Sequence, residues 1–358
     1  MEIPRTISAL PKGTAFMRYA MALAVAKGSL PDAAEYAKQW RDSPQVAEVL
    51  RAAVAVGSTD VSAWAKPLSI YDQMAGEFID ALRPATIIGR IGGLARAPFN
   101  VRMARATSGT SADWVGQSAP KPISKMSLDS ITLQPLKVVA TCVLSDELVR
   151  FSSPPAVATV QRDLIAALAA RLDSAFIDPT LSAVTNVSPA SITSGISATS
   201  STGSSVAQIV TDVKAALAAG IAAGITWQTG VWVMHPRTAL YLSGVLTAGN
   251  VPMWPTISVK GGTWYGLPVI TSSSVPIDTG ADTYITLLDA ANILLAEGTV
   301  TLDISTQASL QMVTNPSASA TETVSLWQSN LVGIRSEMYA NWARKHDAAV
   351  AVIDDVAF

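Results

Sequence analysis

The sequence has few charged side chains. Only 15% of its 358 residues are Asp, Glu, Lys or Arg, and 49% are hydrophobic, whereas roughly a quarter of the residues in a typical globular chain are charged. A soluble monomer with so few charged side chains would have too few of them to cover its surface. We therefore expect much of the surface to lie in interfaces between subunits. Composition also leaves open an Ala-rich enzyme with a large core.

Other features are scarce or missing as well. The formal net charge is −2, which argues against a basic surface that clamps nucleic acid. The single cysteine, Cys142, excludes a disulfide within the chain, and its apolar neighbours predict a buried structural thiol rather than a nucleophile. No apolar run reaches the length of a membrane span.

The residue patterns that mark an active site are also missing. His235 and His346 are far apart and belong to no zinc motif, and the sequence has neither a Walker-type phosphate loop nor a Gly-x-Ser-x-Gly elbow. His235 precedes a proline, so we interpret it as the start of a helix. Asp146 and Glu147 follow Ser145 at a predicted helix start, where carboxylates favour capping. We therefore predict no catalytic residue, cofactor site or metal site, and no enzyme.

The longest helical pattern covers residues 154–178. Apolar residues recur there at helical spacing, while Arg162, Asp163, Arg171 and Asp173 mark the other face. Ser153 is a suitable N-cap, and Asp178-Pro179 stops the helix, because a residue before proline is pushed out of the α region. About 24 residues at 1.5 Å each give a rod of roughly 36 Å, which is long enough to span a domain.

The flanking regions have different patterns. Residues 1–60 predict three short helices over 16–26, 32–40 and 44–56 without a large shared core, so we expect an arm that lies on neighbouring subunits. Residues 98–144 predict a long two-stranded hairpin with a polar tip, which must pack on its own domain or across another subunit.

The second half of the chain alternates helices and strands. Residues 181–205 are rich in Ser, Thr, Ala and Gly, which predicts a mobile loop or linker. The elements predicted after it are helices over 206–223 and 237–243 and strands over 231–234, 266–270, 284–288, 299–304, 324–338 and 348–353.

These pieces, in this order, resemble the major capsid proteins of tailed double-stranded DNA bacteriophages, whose Hong Kong 97-type fold is shared by encapsulins. Three segments carry the resemblance: residues 112–148 with the long helix that follows, residues 232–237 with Gly-Leu-Pro-Val at 266–269, and residues 330–353. In that family they are the extended loop with its return strand and spine helix, the axial domain, and a strand pair of the peripheral domain. His235 stands where the family usually has an asparagine.

The resemblance implies an α+β fold with four parts. They are an N-terminal helical extension and arm (1–97), an extended β-hairpin loop (98–144), a peripheral domain (145–180 and 299–358) with the spine helix at 154–178, and an α/β axial domain (181–298).

It also implies a structural protein of the virion. Such subunits assemble in the host bacterial cytoplasm as hexamers and pentamers of an icosahedral head that encloses double-stranded DNA. Their partners are copies of themselves, a portal, a scaffold or protease, and decoration proteins. Contact with DNA would be nonspecific and modest, because this sequence has no basic stripe. We expect residues 1–60 to be retained as an extension.

Some members of the family form an isopeptide bond between a loop lysine and an asparagine of another subunit, assisted by a glutamate. Asn330 and Glu337 fall at the asparagine and glutamate positions, but Ser118 occupies the lysine position, and Lys121 and Lys125 are displaced from it. In a regular strand, two residues seven apart point to opposite faces. We therefore expect a shell held by noncovalent contacts.

Two alternatives stay open. An encapsulin-like compartment has the same fold but encloses protein cargo, and bound DNA or cargo would distinguish it from a phage head. An α/β enzyme with an unrecognised site would instead form a discrete monomer or small oligomer with turnover.

Overall fold

A computed structural model of the chain describes residues 11–51, 76–108, 113–115, 117, 121, 123, 127–151, 154–247, 249–278, 280, 282–313, 316 and 322–358. The helices are α1 (Thr14–Val25), α2 (Leu30–Ala37), α3 (Pro44–Arg51), α4 (76–82), α5 (Ile87–Arg90), α6 (Asp146–Phe151), α7 (Pro154–Ile177), α8 (Val206–Ala222) and α9 (Pro236–Gly244). The strands are β1 (Ala95–Arg96), β2 (Arg102–Ser108), β3 (Ser127–Thr132), β4 (Lys137–Ser145), β5 (Thr199–Ser200), β6 (Gly230–Met234), β7 (Ile257–Ser258), β8 (Gly261–Trp264), β9 (Leu267–Thr271), β10 (Thr283–Asp289), β11 (Ile293–Ser305), β12 (Ser309–Leu310), β13 (Val324–Ser325), β14 (Leu331–Arg344) and β15 (Val350–Val356).

The chain forms two compact units. The first contains Met1–Thr86, Val138–Ala169 and Thr299–Tyr339, and the second contains Ile87–Lys137, Ala170–Gly298 and Ala340–Phe358. None of the helices in the described ranges has the length and apolarity needed to cross a membrane.

The N-terminal helices of the first unit pack on one another. Helix α1 contacts both α2 and α3, and these two contact each other. Phe16 of α1 and Leu50 of α3 are buried, and the ring of Phe16 lies 5.6 Å from that of Phe78 in α4. The short helices therefore share a core within the subunit, contrary to the expectation that they depend on neighbouring subunits for burial.

The second unit contains a seven-stranded sheet in the order β5-β15-β10-β6-β9-β8-β7. All five residues of β6 are buried at its centre. A large apolar cluster of this unit includes Trp232 of β6 and Trp264 of β8, whose rings lie 5.0 Å apart. Helices α8 and α9 contribute Ile209, Val213 and Leu242 to the same cluster.

Three smaller β structures complete the fold of the described residues, and one of them is the antiparallel pair of β12 and β13. The strands of a four-stranded sheet follow the order β1-β11-β14-β4, and β2 pairs with β3 as an antiparallel hairpin from Arg102↔Thr132 to Ser108↔Ser127. The hairpin predicted within 98–144 is confirmed over this range. Its return strand stops at Thr132, and β4 joins the other sheet instead of continuing the hairpin.

The long helix predicted over residues 154–178 is confirmed by α7. Leu164, Leu168, Leu172 and Phe176 are buried, as their helical spacing predicted. Asp173 was assigned to the polar face, but only 3% of it is exposed. The predicted cap, residue 153, lies outside the described residues.

The C-terminal strands differ from the prediction in two ways. The strand expected over 324–338 is interrupted by a turn at 326–330, so that β13 and β14 are separate. Strand β15 pairs with β10 and β5 in the seven-stranded sheet rather than with β14. The expected peripheral strand pair over 330–353 is therefore wrong, and residues from Ala340 onward belong to the second unit.

The stretch 181–205, predicted to be a mobile loop, is held by specific contacts. Ser191 Oγ donates to the Phe176 carbonyl at 2.9 Å, and Thr193 Oγ1 donates to the Ile177 carbonyl at 2.8 Å. The Asp212 carboxylate accepts bonds from the Thr202 amide (2.9 Å) and hydroxyl (2.8 Å). The small polar side chains that predicted mobility thus hold this segment in place through hydrogen bonds.

Candidate assembly surfaces

The loop of the β2–β3 hairpin carries apolar side chains in solvent. Trp114 has 105% of its reference surface exposed, and Ile123 has 98%. An indole leaves water readily and is a common anchor at protein interfaces. These side chains are therefore candidates for contact with another chain.

The first unit has a second group of exposed apolar residues around β12 and β13. Trp327 is 77% exposed, and Met312 and Val313 are at least half exposed. Leu326, next to Trp327, is fully buried beneath the turn, and its amide bonds to the Ala308 carbonyl at 3.0 Å. The turn is thus anchored on one side and presents the indole on the other.

Asn330, the candidate crosslinking asparagine, is in a turn rather than in a regular strand. It has a φ of 52° and immediately precedes β14. Its side-chain amide donates to Glu147 Oε1 at 2.7 Å, and its carbonyl accepts the Asp146 amide at 3.0 Å. The premise that this residue lies in a strand is therefore wrong, and its carboxylate partner is Glu147, on helix α6.

The candidate glutamate, Glu337, has other neighbours. It is 8% exposed, accepts a hydrogen bond from the Tyr339 hydroxyl at 3.0 Å, and lies 3.9 Å from Nε of Arg335. The structure thus gives Asn330 and Glu337 different partners. Lys121 is exposed, and Ser118 and Lys125 lie outside the described residues.

The residues excluded as catalytic have structural contacts. His235 is the N-cap of α9, where Nδ1 accepts the Arg237 amide at 3.1 Å, as predicted for a helix start. Burial lowers the pKa of His235, and the Arg237 charge adds to this effect. Ser145 Oγ accepts the Leu148 amide at 3.2 Å, which confirms the predicted helix start at 146.

Cys142 is a free thiol on β4. It is only half-buried, whereas the sequence predicted a buried thiol. Burial raises the pKa of this thiol, and the nearby Asp163 carboxylate raises it further. Both effects disfavour the reactive thiolate.

Asp173 is a buried carboxylate whose role could not be read from the sequence. Its Oδ1 accepts the Ile87 amide at 2.7 Å, and its Oδ2 accepts the Ser272 hydroxyl at 3.3 Å. Burial raises the pKa of Asp173 to about 6, against the opposing effects of these bonds and of Arg90. Its only sequence signal was an acid next to the apolar stripe of a long helix.

The described residues also contain one carboxylate cluster. Oxygen atoms of Asp278, Asp282 and Asp355 lie within 4.8 Å of one another at the surface of the second unit. Carboxylates are ligands that divalent cations accept, but exposed acids at this spacing do not by themselves establish a metal site.

Comparisons with known proteins agree with this architecture. The phage capsid family matches residues 70–355. The "Capsid polyprotein" of Pseudomonas phage PAJU2 is 41% identical over 364 residues, covering 97% of this chain and 54% of the relative. The "Major capsid protein" of Klebsiella oxytoca phage phiKO2 is 25% identical over 176 residues, covering 48% of this chain and 39% of that protein.

A solved chain of Mycobacterium phage Ogopogo has the same fold, with a TM-score of 0.58 and 16% identity over 75% of this chain and 91% of that one. The chain spans about half the length, or less, of the two curated relatives. The predicted α+β, Hong Kong 97-type fold is confirmed. Because the family match covers most of the sequence, the chain belongs to the phage capsid family.

Proposed function

We propose that this chain is the major capsid subunit of a tailed bacteriophage. It assembles as hexamers and pentamers into an icosahedral shell that encloses double-stranded DNA. Assembly takes place in the host bacterial cytoplasm, and the product is part of the virion. The match of residues 70–355 to the phage capsid family carries this proposal.

The exposed apolar side chains support self-association. Trp114 and Ile123 on the hairpin loop and Trp327 on the first unit are each more than three-quarters exposed. Side chains of this kind at widely separated sequence positions suit a subunit that contacts several neighbours. Apolar contact also agrees with the low charge of the sequence.

The interior face of such a shell would contact DNA without reading its sequence. The net charge of −2 supplies no excess of cations to neutralise phosphates. Contact with DNA would therefore be weak and easily screened by salt. By family resemblance, the further partners are a portal, a scaffold or protease, and decoration proteins.

We further propose that residues 98–144 act as the extended loop, 145–180 with 299–339 as the peripheral domain, and 181–298 with 340–358 as the axial domain. This assignment moves the last strand to the axial domain because β15 pairs with β10. Residues 1–97 form the helical extension and arm, and residues 1–60 are retained in the shell.

Electron microscopy with sedimentation of the purified protein tests the proposal. Closed shells, or rings of five and six subunits, are the expected result, and nuclease-protected double-stranded DNA is expected inside particles from infected cells. Enzyme cargo in place of DNA would instead identify an encapsulin-like compartment. A 37 kDa species that stays monomeric with scaffold supplied, across salt and pH, would contradict the assembly function.

A further inference from the structure

The seven-stranded sheet has oppositely charged groups near its two edges. We propose that this sheet docks head to tail on the sheet of a second copy of this chain, with Lys260 of one copy beside Asp278, Asp282 and Asp355 of the next. The inference rests on the proposed assembly function and adds the surfaces that join neighbours within a ring.

The three carboxylates lie at one end of β10 and β15. Strand β10 begins at Thr283, which pairs with Val356 near the end of β15. Asp282 directly precedes β10, and Asp355 is the second-to-last residue of β15. The acids therefore mark the end of the sheet at which β10 begins and β15 stops.

Lys260 lies at the same end of the sheet, but near its other edge. Strand β6 runs antiparallel to β10, so Met234 at the end of β6 pairs near the beginning of β10, with Ile285. Strand β9 runs parallel to β6 and ends there too, since Met234 pairs with Thr271. Thr271 Oγ1 donates to the Val259 carbonyl at 2.9 Å, which places the β7–β8 turn and Lys260 at this end.

The two charged groups are too far apart to pair within one subunit. Strand β7 is five places from β15 in the sheet order, which corresponds to about 24 Å at roughly 4.8 Å per strand. An ion pair between Lys260 and the carboxylates therefore requires two copies of the chain.

Both groups lack a charged partner within the described ranges. Lys260 forms no ion pair there, and no cation pairs with Asp278, Asp282 or Asp355. The Asp278 carboxylate accepts only the backbone amides of Gly280 (2.8 Å) and Asp282 (2.9 Å) among the described contacts. Like charges this close repel one another, so a cation from a neighbour would be favoured.

An exposed apolar residue accompanies each charged group. Val259 beside Lys260 is 45% exposed, and Ile277 beside Asp278 is 47% exposed. Contact between the two edges would pair apolar with apolar and cation with anion. Such complementarity specifies which surfaces meet and in what register.

The arrangement also determines the kind of assembly. The two surfaces are different and lie near opposite edges of one sheet, so the contact is heterologous. A heterologous contact generates a closed ring when its rotation closes. Rings of five and six then need only a small change of angle at the same pair of surfaces.

Disulfide trapping tests the contact in assembled particles. Lys260→Cys with Asp282→Cys, in a Cys142→Ser background, is expected to form disulfides between subunits and to give a ladder of up to five or six chains on nonreducing gels. Asp282 is chosen because its side chain forms no hydrogen bond in the described residues, whereas Asp355 has a φ of 53°. Lys260→Cys with Ala291→Cys is the matched control, since Ala291 is exposed beyond the opposite end of β10.

Charge reversal provides a second test. Lys260→Glu is expected to raise the concentration needed for assembly by about fivefold, which is the upper end of what an exposed ion pair contributes. Asp282→Lys should have a smaller effect, because Asp278 and Asp355 keep their negative charge, and the double variant should assemble better than Lys260→Glu alone. If Lys260→Glu leaves assembly unchanged but EDTA abolishes it, the carboxylates bind a divalent cation. That result would overturn the proposal.

The outcomes separate the docking surface from the function. Wild-type shells with no ladder from the Lys260–Asp282 pair, or with an equal ladder from the control pair, would overturn the docking surface and leave the capsid function intact. Failure of the wild-type chain to form any ring or shell, even with its scaffold, would overturn both.

Discussion

The Ile87 amide donates to Oδ1 of Asp173 at 2.7 Å, which joins the start of the short helix α5 to the buried part of the long helix α7. The bond crosses 86 positions of sequence. Oδ2 of the same carboxylate accepts the Ser272 hydroxyl beyond β9. One buried acid thus fixes three segments of the second unit, at the cost of removing a carboxylate from water.

That arrangement predicts a pH-dependent stability. The pKa of Asp173 is raised from 3.8 to about 6, so between about pH 4 and 6 the folded state holds a proton that the unfolded chain has lost. The contribution to the free energy of unfolding therefore falls as pH rises through this window, by about 3 kcal/mol at most, and is constant above it. Asp173→Asn keeps an acceptor for Ile87 and should remove this slope.

Chemical unfolding of wild type and Asp173→Asn at intervals from pH 4 to 7.5 measures the effect. The difference between the two curves isolates this group from other titrating acids. Asp173→Ala is the companion variant, which leaves the Ile87 amide without its acceptor and should lose about 1–3 kcal/mol at every pH. Parallel pH curves for wild type and Asp173→Asn would show that Asp173 does not titrate in this way.

Local patterns predicted the long helix well, and long-range contacts explain the misplacement of Asp173. The apolar period of α7 is a property of 24 adjacent residues. The burial of Asp173 depends on Ile87 and Ser272, 86 and 99 positions away. Nothing in the sequence around the acid reveals those partners.

The same distinction applies to the last strands. The apolar residues of β15 correctly predicted a strand, but a strand pattern does not specify its neighbour in a sheet. Pairing with β10 buries Val352 and Ile353 in the second unit. At the crosslinking position, Asn330 fits a left-handed turn because asparagine tolerates positive φ. The apolar residues around that turn predicted a continuous strand, so the sequence pattern did not reveal the break.

A tight contact between Gly220 in α8 and Trp227 gives a second prediction. A Cβ at Gly220 would lie 2.1 Å from the Trp227 ring, whose Nε1 donates to the Leu217 carbonyl at 3.0 Å. Gly220→Ala should therefore destabilise the protein by about 1–3 kcal/mol through overpacking. Gly244→Ala, in α9, is the control, because nothing lies within 4 Å of its Cβ. Equal unfolding midpoints for the two variants would contradict the prediction.

The N-terminal helices contain a buried cation that provides a third prediction. Arg18 is 8% exposed and donates to both Asp42 oxygens, at 2.7 and 3.1 Å. The hydrogen bond from Arg18 is the main cause that lowers the pKa of Asp42. Asp42→Asn should cost about 1 kcal/mol near neutral pH, a modest value because the Asp42 side chain is 43% exposed.

This contribution is present above the ordinary pKa of aspartate and is lost as pH falls through the lowered value. Chemical unfolding at pH 7 and pH 3 measures both states. Glu35→Gln removes the exposed Lys38 pair in α2 and should change stability by less than about 0.5 kcal/mol. An effect of Asp42→Asn no larger than that of Glu35→Gln would mean that Arg18 is not stabilised by this pair.

A fourth prediction concerns covalent chemistry in the shell. The residue at the expected lysine position, Ser118, has no amine, and the Asn330 amide is bound to Glu147 rather than to Glu337. Purified shells boiled in denaturing buffer should therefore run as single chains on a gel. Ser118→Lys tests whether the missing amine is the sole obstacle, and it should also give single chains. A ladder from wild-type shells would contradict the noncovalent assignment.

The hairpin loop provides the last prediction. Trp114 is fully exposed in the subunit, and an aromatic anchor buried at an interface commonly contributes 2 kcal/mol or more to binding. Trp114→Ser should thus raise the concentration needed for assembly by about thirtyfold or more, while Trp114→Phe should lose much less because it keeps an apolar ring. Neither variant should alter the unfolding midpoint of the unassembled subunit, since Trp114 is in solvent there. Light scattering during assembly, with unfolding of the same samples, measures both quantities. Assembly of Trp114→Ser at wild-type concentrations would place the contacts between subunits elsewhere on the molecule.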